Sequence, residues 1–371
     1  MFSIVIENMN YINKSLILAI FTIILFSCQE QTPFKGDLHK FSCVDDEVMV
    51  KADSVNLEHP HGSFFAVHDS LAIMFVVVQS NYMYEIYNTN DGSLIGQFFP
   101  RGNGHGEFMA VSGVNQLVPR NVGLTAMVNA IDGQKLIAWN ITKSVEQNTT
   151  VYEESVLKKP ENHPAPFFSY NMLVGKDSVM GYLPGTPMLN APSAAPVWYL
   201  FEKSTNRCLA EIHNYDPIDN PDAQKVVSDC FSTSACAKPD GTKLVESMYY
   251  LPQINIIDVK SGKVSGYLMK GHDDYSIFST DMRELHCCYR QVTSTDKYIF
   301  ALWSGRKLNE DDYSRGYDEV HVFDWDGRML KKVKLSVPVQ SIYLDQANDL
   351  LYGCHQDRQP LYRYKVADMG L

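Results

Sequence analysis

The sequence predicts an all-β chain: a six-bladed β-propeller of four-stranded antiparallel blades, with one short helix between blades. Three observations predict it. Val320–Leu335 has the pattern of two strands joined by a tight turn, five weaker copies of that pattern recur, and long helical periodicity is missing elsewhere. A chain that alternates short strands with polar turns buries its apolar faces by packing sheet on sheet, and radial repetition closes such sheets without long open edges.

The hairpin is the best-defined unit. Val320, Val322 and Phe323 are β-branched or aromatic, which suits a pleated, half-buried surface. Asp326-Gly327 supplies the turn, because Gly accepts positive φ without steric cost and Asp tolerates it. On the return strand Lys332 and Lys334 share a face with Leu330, so one side is mostly wet. Lysines on an outermost strand also discourage edge-to-edge pairing with another chain.

The copies place their turns near residues 92, 143, 206, 262, 327 and 370, which are 51, 63, 56, 65 and 43 residues apart. That spacing fits four strands per repeat with longer loops. Phe64–Val67, Leu71–Val78, Tyr82–Tyr87 and Leu94–Phe98 give the first blade, and Leu71–Val78, apolar on both faces, is its inner strand. Gly123–Val128 and Lys135–Trp139 belong to the second, with a turn at 140–144. Phe167–Val174, Ser178–Leu183 and Val197–Phe201 belong to the third. Lys243–Leu251, Ile254–Val259 and Lys263–Met269 form the fourth, and Arg290–Val292, Tyr298–Trp303 and the hairpin the fifth. Gln340–Leu344, Leu350–Cys354 and Leu361–Lys365 form the sixth. A helix is expected between the third and fourth blades, where Asn220 caps, Pro221 opens the first turn, and Ala223, Val226, Val227 and Cys230 share a face.

The chain has 371 residues, 45% hydrophobic and 12% aromatic, ample for a sizeable core. Its net charge is −11, and removing residues 1–27 leaves that unchanged. Such acidity argues against a nucleic-acid partner, which needs a basic face. Leu16–Phe26 is an apolar run after Lys14, the size of a signal-peptide core and too short to span a bilayer. A start at Met9 would drop Glu7 and leave a cleaner positive leader. Leu25-Phe26-Ser27-Cys28 resembles the lipobox of bacterial lipoproteins, and the resemblance implies cleavage before Cys28 and lipidation of that cysteine. Several acyl chains on one residue hold a protein firmly to a membrane. The expected organisation is a signal peptide over 1–27, a flexible polar tether over 28–45, and the propeller over 46–371. Val48-Met49-Val50 is the candidate first strand, closing the last blade beside the 360s.

Phe98–Phe108, FFPRGNGHGEF, resembles the Gly-rich blade crossing of NHL-type propellers. Tyr298–Gly305 followed by Val322–Gly327 resembles the penultimate blade of the six-bladed TolB-like propeller lipoproteins of Bacteroidetes. The resemblance implies fold and compartment, namely the outer membrane or cell envelope, periplasmic or surface-exposed. It is almost silent on activity.

No residue pattern specifies catalysis. Gly102–Gly106 could cradle phosphate, but no capped helix comes after it to aim its amides. His59 and His61, with His68 near, fall short of a convergent zinc set. The acids at 310–312, 318–319, 324 and 326 lack the spacing of a calcium loop. Seven cysteines remain after Cys28, an odd number that forbids complete internal pairing, and mostly free buried thiols are expected. The expected function is a monomeric envelope module that binds a protein or a glycan without cofactor or metal. Arg101 and His105 in the Gly-rich loop, with Trp303, Tyr313 and Tyr317 on interblade loops, are the candidate binding residues. The alternative is a metal-dependent lactonase or lyase with an ion in the central channel, which requires histidines and acids converging there.

Overall fold

The structure is a computed structural model that describes residues 32–371, apart from 63, 78–79, 122, 131–134, 162–167, 189–190, 217–230, 272–274, 276–284, 311–312 and 356–357. The chain divides after Pro33 into two compact units, and the second, Phe34–Leu371, contains all of the blades. This unit opens with β1 (Asp37–Phe41), β2 (Glu47–Val50) and β3 (Asp53–Asn56), and then lays down six blades in order. Blade 1 is β4–β7 (Phe64–His68, Leu71–Phe75, Tyr82–Asn88, Leu94–Pro100). Blade 2 is β8–β11 (Gln116–Arg120, Gly123–Ala130, Lys135–Asn140, Tyr152–Val156). Blade 3 is β12 (Tyr170–Leu173), β13 (Ser178–Leu183), β16 (Val197–Glu202) and β17 (Arg207–His213). A separate hairpin, β14 (Thr186–Met188) with β15 (Ala191–Ala194), is inserted in blade 3. Blade 4 is β18–β21 (Thr233–Ala237, Lys243–Met248, Gln253–Asp258, Val264–Met269). Blade 5 is β22–β25 (His286–Ser294, Tyr298–Lys307, Tyr317–Asp324, Met329–Val339), and blade 6 is β26–β28 (Ser341–Asp345, Leu350–His355, Arg358–Lys365).

Each blade is an antiparallel meander, so consecutive strands are neighbours. Six apolar clusters fill the six gaps between adjacent blades. Trp139, Tyr84 and Phe99 lie between blades 1 and 2, and Val55, Tyr87 and Tyr352 between blades 6 and 1. Because every blade is covered on both faces, its middle strands carry apolar residues on both, as in β5 and β24. The hairpin turn forms where Asp326-Gly327 predicts it. Gly327 has φ +77°, and the Asp324 carboxylate accepts from the Asp326 and Arg328 amides at 3.0 and 2.9 Å.

The N-terminal segment departs from expectation. The tether expected over 28–45 is ordered from Phe34 onward, with β1 added in parallel to β21 as a fifth strand of blade 4. Two apolar anchors in this polar stretch explain it. Phe34 is buried with its ring 5.4 Å from that of Tyr215, and Phe41 sits edge-on to Phe323 at 5.3 Å. Close approach also requires Gly266, where a Cβ would lie 2.7 Å from the Phe34 ring. Val48–Val50 does not close blade 6. It lies in β2, parallel to β25 of blade 5, and β3 takes the closing place, with Val55 opposite Leu361. One N-terminal strap thus serves three successive blades, and two of them have five strands rather than four.

The turn expected at 140–144 is a helix, α1 (Ile141–Gln147). Asn140 caps it by accepting from the Lys143 amide at 3.0 Å, and Asn148 ends it in the left-handed region. Ser144 anchors it, its buried hydroxyl accepting from Trp139 Nε1 at 2.9 Å. The helix expected over 220–230 lies outside the described residues, as do Cys28 and the leader. The last repeat, at Tyr364–Gly370, ends in a 3-10 turn over Val366–Met369, which is why β3 is needed there. Cys43, Cys208, Cys236, Cys287, Cys288 and Cys354 are not joined in disulfides. Among the described residues no helix is long and apolar enough to cross a membrane.

Candidate functional site

The first strand of each blade borders the ring axis, and together these strands enclose a cavity of about 650 Å³. Val67, Gln116, Tyr170, Ser234, Arg290 and Ser341, one from each blade, are among its walls. A strand on the axis has an unpaired edge whose amides need partners. Side chains of the preceding blade supply them. Gln116 Oε1 accepts from the Leu173 amide at 2.8 Å, and its Nε2 donates to the Leu173 carbonyl at 3.1 Å. Ser234 Oγ accepts from Val292 N at 3.2 Å, Gln291 Oε1 from Ile342 N at 2.9 Å, and Thr293 Oγ1 from Leu344 N at 3.2 Å. The channel wall is therefore stitched by short neutral side chains and preformed.

The described walls carry hydroxyls, amides, aromatic and aliphatic faces, the His68 imidazole, the Cys236 thiol and one guanidinium, and no carboxylate or lysine. That guanidinium, Arg290, lies 4.4 Å from the centre of the Tyr249 ring and 5.3 Å from that of Tyr317. Arg306 stands 5.3 Å from the same Tyr317 ring and donates through Nη2 to the Gly316 carbonyl at 3.0 Å. Cation–π contacts of this kind orient the planar group while leaving its rim of donors in use. Asn115, another wall residue, has its Nδ2 buried without a hydrogen-bond partner. Burial pushes the wall thiol of Cys236 up to about 12, so it is protonated at neutral pH and is no nucleophile. Among the described residues no group of three or more His, Cys, Asp or Glu could hold a metal ion.

Comparison with known proteins bears on this geometry. A family model described as a TolB-like six-blade propeller matches residues 205–347, from the end of blade 3 into blade 6. The fold is a six-bladed β-propeller, and the matched stretch within it is similar to the TolB-like family. A DUF4221-family protein from Bacteroides vulgatus is similar to this propeller at a TM-score of 0.55 and 13% identity, over 86% of this chain and 96% of its own. A Bacteroides fragilis protein described as exported has a TM-score of 0.49 and 10% identity, over 88% and 98%. Chaetomium thermophilum Raptor has 0.47 and 10%, over 85% of this chain and 29% of its own. No curated protein matches the sequence.

Around this six-bladed ring the candidate residues separate. Arg101 donates to the Val76 carbonyl at 2.6 Å, within blade 1. His105 is exposed at the tip of the Gly-rich loop. In that loop the Gly104 amide donates to the Glu107 carboxylate at 2.8 Å, so the loop's own acid takes the amide a phosphate would need. Trp303 is not on a loop but in β23, stacked 4.8 Å from His321. His321 is buried and bridges the Tyr289 hydroxyl at 3.1 Å and Glu319 at 2.7 Å. Tyr313 begins a 3-10 turn. Tyr317 opens β24 and is buried, its ring centre 5.3 Å from Arg290 of the cavity wall and 5.3 Å from Arg306. His61 is held by buried Glu85, with Nδ1 2.8 Å from Oε1, whereas His68 lines the cavity. Asp318 and Asp324 engage Lys334 and Arg328.

Arg290, Tyr249, Gln116 and Asn115 carry no motif in the sequence. One signal is visible in retrospect. Asn-Gln-Leu at 115–117, Arg-Gln-Val at 290–292 and Val-Gln-Ser at 339–341 each put a glutamine at or beside an axial strand.

Proposed function

We propose that the propeller is a binding module of the cell envelope, held to the membrane by lipid on Cys28, and that it takes its ligand in the axial cavity. The observation that carries this is the cavity itself, preformed and lined from all six blades by neutral polar and apolar side chains around one guanidinium. A site of this size suits a glycan or the end of a protein chain, and its described walls hold no Asp, Glu or Lys. The carboxylates that a channel-ion enzyme needs are missing from its described walls. The leader, the lipobox and the envelope location support one another, and the module acts as a monomer on its anchor.

Arrays of glycans and of short peptides, probed with the purified protein and with Ser232→Trp, test the reading. Ser232 is exposed on the wall and its side chain holds no neighbouring strand, so the indole fills the cavity without cutting a stitch. Binding by the natural protein that Ser232→Trp abolishes, with melting unchanged, supports the module. Silence on both arrays, binding that ignores the block, or turnover of lactones would each count against it.

A further inference from the structure

We propose that the axial cavity takes a glycan by its chain end, the terminal sugar lodging against Tyr343 and accepting hydrogen bonds from that hydroxyl and from Asn115; this rests on the axial cavity being the binding site. Three observations carry it. The first is the path of Tyr343. Its neighbours Ile342 and Leu344 pack between blades 5 and 6, whereas Tyr343 turns toward blade 1, with its ring centre 6.4 Å from that of Phe65. The backbone of Leu117, on blade 2, hydrogen-bonds its hydroxyl. The stitches along the channel join neighbouring blades, but this side chain leaves blade 6, passes the axial edge of blade 1 and ends at blade 2. Phe65, Leu117 and Tyr343 all line the cavity. A ring that stands across the channel narrows it, so a chain end is admitted and a threading polymer is obstructed.

The second is a pair of unspent donors. Burial pushes the Tyr343 hydroxyl well above its ordinary range, so it stays protonated and donates. Among the described residues only the Leu117 backbone hydrogen-bonds it. Asn115 stands two residues before Leu117, about 7 Å along an extended chain. Its Nδ2 is buried without a partner, a state that native structures rarely leave unexplained. The Asn χ2 torsion has broad freedom, and a turn about it brings Nδ2 to the cavity that Asn115 lines. Two donors so close together meet two oxygens of one sugar.

The third is the wall on the near side of the ring. Each blade starts at the axis and runs the same meander, so the axial strands all begin at one face. Ser112, Ser169 and Ser232 precede the axial strands of blades 2, 3 and 4 and line the cavity on that side of Tyr343, whereas Pro119 and Pro239 line the far side. Hydroxyls both donate and accept, as sugar hydroxyls require. The ring of Tyr170, at the start of its strand, adds an aromatic face for the C–H face of a sugar.

Titration calorimetry with maltotriose, maltohexaose and α-cyclodextrin tests the inference, with cellohexaose and mannohexaose as further linear probes. α-Cyclodextrin has the same sugars as maltohexaose and no chain end. A linear oligosaccharide is expected to bind, maltotriose about as tightly as maltohexaose, and the cyclic sugar at least about tenfold more weakly, the worth of one to two hydrogen bonds. Tyr343→Phe keeps the ring and removes the donor, and should weaken binding about three- to tenfold, as should Asn115→Ala. Tyr343→Ala opens the channel, and maltohexaose should then outbind maltotriose. Should Tyr343→Phe fail to melt cooperatively, Asn115→Ala and the linear-against-cyclic comparison carry the test. Equal affinity for cyclic and linear sugars, or indifference to both Tyr343→Phe and Asn115→Ala, overturns the inference while leaving the cavity a binding site. Binding of peptides alone overturns the glycan. If no oligosaccharide binds, the inference falls, and the Ser232→Trp comparison decides separately whether the module reading falls with it.

Discussion

The Gln116 side chain holds both backbone groups of Leu173, accepting from its amide at 2.8 Å and donating to its carbonyl at 3.1 Å. Blade 2 is thereby fastened to blade 3 at the axis, where neither strand has a further strand to pair with. Gln116→Ala leaves that amide and carbonyl partly desolvated without partners, and should cost about 1–3 kcal/mol of stability. Urea denaturation followed by far-ultraviolet dichroism measures it; an unchanged midpoint would mean that water replaces the glutamine at no cost.

Glu246 gives stability a pH dependence of one sign. It is buried between blades 3 and 4, and accepts from Trp198 Nε1 at 2.7 Å and from Asn255 and Asn214. Burial outweighs these hydrogen bonds and lifts its pKa to about 7. Between its unfolded value of 4.5 and about 7 the folded state binds more protons than the unfolded one, so stability falls as pH rises through that window and levels off above it. Glu246→Ala should flatten this part of the profile while lowering stability throughout. A slope that survives the substitution would assign it to another group.

Glu319 works in the opposite sense. Burial opposes its ionisation, but hydrogen bonds from His321 and Lys334 prevail and hold its pKa at about 2. A carboxylate lowered on folding contributes stability above its unfolded value of 4.5, and that contribution is lost as pH falls toward 2. Glu319→Gln should therefore destabilise at neutral pH and matter progressively less below pH 4.5, which acid titration of the melting temperature would show.

The N-terminal strap should be worth more than its length suggests. Phe41→Ala removes a buried ring packed edge-on against Phe323, at about 3–5 kcal/mol. Thermal melting checks this, and a loss under about 1 kcal/mol, well below the cost of an emptied core site, would show that the strap adheres without stabilising.

The anchor is tested in cells. Cys28→Ala should release the protein from the membrane fraction and abolish incorporation of labelled fatty acid. A variant that stays membrane-bound and labelled would place the lipid elsewhere or remove it from the account.

Much of the fold is legible because hairpins are local. Asp326-Gly327 sets its own turn, and the strands of blade 1 begin where alternation places them. Pairings remote in sequence are not legible. Nothing in Asp37–Phe41 says that it joins Val264–Met269, because a short polar strand with one buried aromatic has no sequence pattern that names its partner. Residues 140–144 suggest a turn because Asn140 serves equally as turn former and helix cap, and the buried contact from Ser144 to Trp139 decides for the helix. The site is hidden for a related reason. Its walls come from six separate strands, and Arg290 gains meaning only when Tyr249 and Tyr317 are brought beside it.

The most direct test of the axial site is a crystal structure of the protein with a glycan or peptide that binds it on the arrays. The ligand is expected on the ring axis, inside the cavity. A ligand bound on the outer face of the blades, or an axial cavity still empty at saturating concentration, would contradict it.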